Sequence, residues 1–178
     1  MAGSRRDRRT EFFRAGLEVL AKDGSKAVSA ARLSRELNVT TGCFFWHFES
    51  VEAFHRKLMK YWQDVVLVEL VREAEAQAEG DSALVLEKLR QLIRTGGTYR
   101  HDAAMRRWAK TNPDAAAVVE AADLWRVKKL RKHLEAAGVD PDRARDRVNL
   151  LGAAWLGSQG MQDSDYRFKL AGLALSGD

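Results

Sequence analysis

Val39-Thr40-Thr41-Gly42-Cys43-Phe44-Phe45-Trp46-His47-Phe48 opens, after its valine, with two hydroxyl residues and gathers its aromatic side chains and a histidine into the last five positions. A helical pattern from Ser29 to Leu37 precedes it, and only Asn38 and Val39 intervene. Two short helices joined by so tight a turn read as a helix-turn-helix, whose second helix enters the major groove of a duplex. Asn38 suits the turn, because Asn tolerates the left-handed backbone that a helix C-terminus often needs. Thr40 is placed to cap the second helix through its hydroxyl. Phe44 and Phe48, four apart, read as the inner face. Thr41, Gly42, Cys43, Phe45, Trp46 and His47 are then expected outside. Glycine inside a helix costs about 1 kcal/mol relative to alanine, so Gly42 implies close backbone approach to a partner.

The charge balance agrees. The chain has 178 residues and a formal net charge of +5. Residues 1–60 hold twelve Lys and Arg against seven Asp and Glu, and the remainder holds eighteen of each. The whole excess therefore sits on the segment with the helix-turn-helix, which reads as the electrostatic footprint of nucleic-acid binding or, alternatively, as a basic solubilising face. Arg5, Arg6, Arg8 and Arg9 read either as a solvated tail or as an arm that follows phosphates. Arg32 and Arg35 fall on the outer side of the second helix, near where a duplex would lie.

Hydrophobic residues make up 46% of the chain, enough for a core. Ala, Leu, Arg and Glu dominate, and the class is all-α, with about nine helices. Helix 1 is expected from about Asp7 or Thr10 to Lys22, with Phe13, Leu17 and Leu20 inward. A long fourth helix runs from about Val51 to Gln77 behind a Ser50 cap. The fifth spans Ser82 to Thr95 and ends at Gly96-Gly97. The sixth spans about Asp102 to Lys110. Asn112-Pro113 and Asp140-Pro141 start the seventh and eighth, the latter ending near Gly160. The ninth covers Ser164 to Leu175. Residues 1–50 are read as the DNA-binding domain and 51–178 as a helical body.

Thr40 to Phe48, followed by Glu52-Ala53-Phe54, resembles the recognition-helix signature of TetR-type repressors. Met105-Arg106-Arg107-Trp108-Ala109, Asn112-Pro113-Asp114, Asp123-Leu124-Trp125-Arg126 and Ala136-Ala137-Gly138 resemble the C-terminal domain of many such regulators. Phe45 stands where the family has tyrosine, and Val51 where it has lysine. The resemblance implies a homodimer on a palindromic operator of double-stranded DNA and a small-molecule effector in the body. It places Thr41, Gly42 and Cys43 near bases and Phe45 against a thymine methyl. Thr40, Trp46 and His47 would contact the phosphate backbone.

Leu150, Leu151, Ala154 and Trp155, with Leu170, Leu173, Ala174 and Leu175, suggest a homodimer through helices 8 and 9. Trp62, Trp108 and Trp125 are candidate walls of an effector cavity, and Tyr99, His101 and Asn149 candidate polar anchors. His47, His55, His101 and His133 show no i,i+4 pair, so neither a metal site nor a cofactor is expected. No catalytic motif occurs, so no enzyme is expected. The lone Cys43 excludes an internal disulfide. No apolar run approaches a membrane span, and a cytoplasmic protein is the default. The alternative is a helical ligand- or protein-binding module whose DNA-binding head is weakened or lost, motivated by Phe45 and Val51.

Overall fold

The structure, a computed structural model, describes residues 5–95 and 98–157. Its elements are α1 (Arg5–Asp23), α2 (Ala30–Glu36), α3 (Thr41–His47), α4 (Val51–Tyr61), a π-helical segment (Trp62–Leu67), α5 (Val68–Gln77), α6 (Ser82–Thr95), α7 (Thr98–Ala109), α8 (Pro113–Ala136) and α9 (Pro141–Gly157). A short 3-10 turn, Ser25–Ala27, joins α1 to α2. No strand occurs among the described residues, and none of their helices is long and apolar enough to cross a membrane. The all-α expectation holds. The expected ninth helix, 164–175, lies outside the described residues.

Short-range chemistry sets most boundaries. Ser29, Thr40 and Ser50 each accept a backbone N–H three residues on, from Arg32, Cys43 and Ala53. These bonds satisfy donors that a helix start leaves orphaned. Asn112 does the same for Ala115 at 2.8 Å. Asn38 takes φ 52°, and its N–H donates to Arg35 while that of Val39 donates to Ser34, at 3.1 and 2.9 Å. That pair is a Schellman motif, which ends α2 and turns the chain at once into α3.

Two expectations are corrected. Residues 5–9 continue α1, so the reading of this stretch as a disordered tail does not hold. Arg8 pairs with Glu11 at 2.7 Å, one turn on, and Arg9 donates to the His47 carbonyl at 3.2 Å. The sixth helix starts at Thr98 rather than near Asp102, because Arg100 and His101 both find Glu18 of α1, at 2.6 and 3.0 Å. The expected helix from Val51 to Gln77 is one continuous helical run, interrupted only in pitch by the π segment.

The chain divides into two compact units and passes between them three times, within that π segment, before Thr98 and inside α8. Residues up to Val66, with Thr98–Val119, form the first unit. Its core is aromatic: Phe12, Phe44, Phe48, Phe54 and Trp62 are fully buried, with Leu33, Leu58 and Met105. Within this unit α7 lies along α1. Besides the Glu18 bonds, Arg107 donates to the Ala21 carbonyl at 3.3 Å. Trp108 stands edge-on to His55 of α4, centroids 5.0 Å apart.

Burial holds the His101 pKa below the usual histidine value, and the hydrogen bond and charge of Glu18 offset only part of this. A depressed histidine pKa means that the unfolded chain binds more protons near its own pKa. The contribution to stability is therefore complete above about pH 6.5 and is lost as pH falls through the folded pKa. Thermal melts between pH 8 and 5 are expected to show this decline, and His101→Gln to flatten it. An equal decline in the variant refutes the assignment.

Among the described residues the second unit comprises 67–95 and 120–157. Val71 and Ala74 of α5, with Ala78 just after it, pack on Val85 and Leu89 of α6, with Trp125 and Leu130 of α8 against them. Leu86, Leu134, Ala144 and Val148 close a second cluster. His133 joins three helices, with Nε2 3.1 Å from Glu75 and Nδ1 3.3 Å from the Ser82 hydroxyl. Lys129 also lies 3.1 Å from Glu75. Burial raises the Glu75 pKa, but the hydrogen bonds and charges of Lys129 and His133 outweigh it and the net direction is down. The ionised carboxylate thus ties α5 to α8.

Candidate nucleic-acid interface

The geometry of α3 follows from which residues it gives to the core. Phe44 is fully buried and meets Phe12 edge-on at 5.5 Å and Phe54 at 5.3 Å. Phe48, at the helix end, contacts Phe12 at 5.7 Å and Phe54 at 4.8 Å. These ring contacts, three of them edge-to-face, fix the rotation of the helix about its axis, since a shift of one residue would expose both rings. What remains outside is Thr41, Gly42, Phe45 and Trp46, with Cys43 half-buried at the flank.

His47 departs from expectation. It is 6% exposed and sits on the inner face, 6.0 Å from the Phe12 ring. Its position three residues after Phe44 explains this, because i and i+3 share a face as i and i+4 do. Its imidazole does not belong to the exposed surface, and its carbonyl receives Arg9. Arg32 is also committed elsewhere. It is half-buried, 2.9 Å from Asp23 and 2.8 Å from Glu36. Arg35, one turn along, is exposed and has no ion-pair partner among the described residues. The sequence pattern places both arginines outside. The i,i+4 spacing to Glu36 was the signal that Arg32 was paired.

The exposed face is open and apolar. Phe45 is 52% and Trp46 62% exposed, high values for large hydrophobic side chains. A Cβ built at Gly42 would meet only the Thr40 hydroxyl, at 3.7 Å. No acidic side chain lies on α3. Arg56 and Lys57 are exposed on α4, and Val51 is half-buried in its first turn.

The effector candidates divide between the units. Trp62, His101 and Trp108 belong to the first, and Trp125 and Asn149 to the second. Trp62 is fully buried, and Trp108 packs on His55. Trp125 is half-buried with Lys129 Nζ 5.9 Å from its ring, and Asn149 is exposed. Tyr99 lies on α7, and its side chain is outside the described residues. Among the described residues no group of His, Cys, Asp or Glu gathers as a metal site would.

No family model matches the chain, and no curated protein matches it in sequence. Solved structures do match in fold. A TetR transcriptional regulator from Legionella pneumophila superposes with a TM-score of 0.74 at 14% identity, over 98% of this chain and 97% of that one. The regulatory protein TetR from Rhodobacter sphaeroides gives 0.72 at 18%, over 93% and 96%. The multidrug-binding protein EbrR, complexed with imidazole, gives 0.56 at 18%, over 95% of each chain. Near-complete coverage in both directions means that the helix-turn-helix and the helices after it are matched together, and the chain has the fold of the TetR-type transcriptional regulators.

Proposed function

We propose that this protein is a DNA-binding transcriptional regulator, a ligand-responsive repressor that binds a palindromic operator as a homodimer in the cytoplasm. The observation that carries the reading is α3 itself. It is capped at Thr40, anchored by Phe44, and presents Thr41, Gly42, Phe45 and Trp46 outward from the segment, residues 1–60, that holds the net positive charge. Residues 1–50 serve as the DNA-binding domain and 51–178 as the effector-binding and dimerisation domain. Leu150 of α9 is 60% exposed, which suits a dimer contact through this helix and the segment 164–175. The effector is a small molecule in the helical body. Trp125, with an apolar ring beside the Lys129 ammonium, offers both kinds of contact such a ligand uses. The similarity to a multidrug-binding protein supports this. An effector acts only if it prefers the DNA-incompetent arrangement.

Selection of bound duplexes from a random pool is the test. A pseudo-palindromic site and two chains per duplex in sedimentation are the expected results. Arg35→Ala should weaken binding and lower the salt slope by about 0.9 for each chain bound, the value for one lost phosphate contact. An unchanged slope removes Arg35 from the interface, and failure to recover any duplex refutes the function.

A further inference from the structure

We propose that Trp125, Lys129 and His133 form a binding site for an aromatic carboxylate, in which the chain's own Glu75 carboxylate stands as an internal occupant. This deepens the effector reading above and rests on it.

Trp125, Lys129 and His133 recur every four residues, so α8 carries an indole, an ammonium and an imidazole in one row along one face. The whole row lies inside the second unit. At one end the half-buried indole has Lys129 Nζ 5.9 Å from its ring. At the other His133 is buried, and the Ser82 hydroxyl, 3.3 Å from Nδ1, holds the ring with Nε2 facing Glu75. A carboxylate only accepts, so Nε2 carries the proton there. An ammonium and an imidazole N–H aimed at one point are donors for a carboxylate, and the indole beside them is a platform for an aromatic body.

α5 fills that point with Glu75, but fills it loosely. Both donors reach the same oxygen, Oε1, each at 3.1 Å. Charge-assisted bonds of this kind usually measure about 2.7–2.9 Å. Oε2 accepts no hydrogen bond among the described residues. The Glu75 and Lys129 side chains are 35% and 31% exposed, so solutes reach the pair. A free carboxylate is not tethered to a helix. It can give one oxygen to each donor while its ring covers the indole. The displaced Glu75 carboxylate turns to water, and the tie between α5 and α8 goes with it. That loss gives the ligand different affinities for the tied and untied arrangements, which an effector must have.

The test is calorimetric titration of the full-length protein with benzoate, phenylacetate and 1-naphthoate, each beside its uncharged amide. At least one acid should bind with a dissociation constant of about 1 mM or tighter. Its amide should bind at least about tenfold more weakly, as loss of a charge-assisted bond implies. Lys129→Gln and Trp125→Ala should each weaken the acid by about tenfold. Glu75→Gln should tighten it by about tenfold, because the variant removes the competing carboxylate. A carboxylate that only braced α5 against α8 gives no reason for tightening. Equal binding of acid and amide, a comparison that needs no variant, overturns the site. So does binding by none of the acids, or unchanged or weaker binding in a folded Glu75→Gln. The selected duplex is titrated in parallel: an acid that binds without weakening the duplex keeps the site and removes its role as an effector site.

Discussion

Phe44→Ala is expected to destabilise the unit that carries the helix-turn-helix by about 3–5 kcal/mol, the usual range for deleting a buried phenylalanine ring. Phe44 is fully buried, with Phe12, Phe48 and Phe54 at centroid distances of 5.5, 5.1 and 5.3 Å. Those rings come from α1, α4 and the residue that ends α3, so the cavity would open where the three meet. None of these neighbours can collapse into it without moving its own helix, which keeps the loss near the upper end. Domain stabilities are typically about 5–15 kcal/mol, so much of the head's stability goes with this one side chain. α3, only seven residues long, has too few internal bonds to persist alone. Urea denaturation followed by near-ultraviolet circular dichroism would measure the change. Phe44→Leu keeps most of the burial and should lose under about 1.5 kcal/mol. A loss below 1 kcal/mol for the alanine variant would mean that the ring is not the anchor of α3.

The features legible from sequence are those whose partners lie close in the chain. The Ser29, Thr40 and Ser50 caps bond across three residues, and Asn38 adopts a left-handed conformation that few other residues accept. The features not legible depend on distant partners. The first unit gathers α7 with α1 because Arg100 and His101 reach Glu18, more than eighty positions away, and no local pattern announces that. His101 lies against α1. Arg32 has one partner within reach of sequence, Glu36, and another on the preceding helix, Asp23. Tryptophans announce burial but not location, and Trp62 and Trp125 fall in different units. His47 was within reach: a helix that buries Phe44 buries its i+3 neighbour as well.

The second large effect separates fold from function at one position. Gly42→Glu is expected to lower DNA affinity by about 100-fold or more while leaving the head at least as stable. On the side of the fold, the new Cβ would meet only the Thr40 hydroxyl, at 3.7 Å. Replacing a helical glycine recovers about 0.5–1 kcal/mol of backbone entropy. A carboxylate in the first turn of α3 adds about 0.3–1 kcal/mol through the helix dipole. In the complex the signs reverse. The same carboxylate would be held in a groove lined by phosphates, and like charges brought together across an interface cost several kcal/mol, where 1.4 kcal/mol is tenfold. Its side chain would also occupy the space that brings the α3 backbone close to the base edges. Gly42→Ala tests that steric part alone: it should share the gain in stability and lose far less affinity than the glutamate. Denaturation midpoints and titration against the selected duplex would be measured for both variants. Tenfold or smaller loss for Gly42→Glu, with the head folded, would place the outer face of α3 away from the groove. Loss of affinity together with loss of stability would mean instead that position 42 is closed by the protein itself. Opposite signs of the two effects are what a recognition helix open to solvent and filled only by DNA requires.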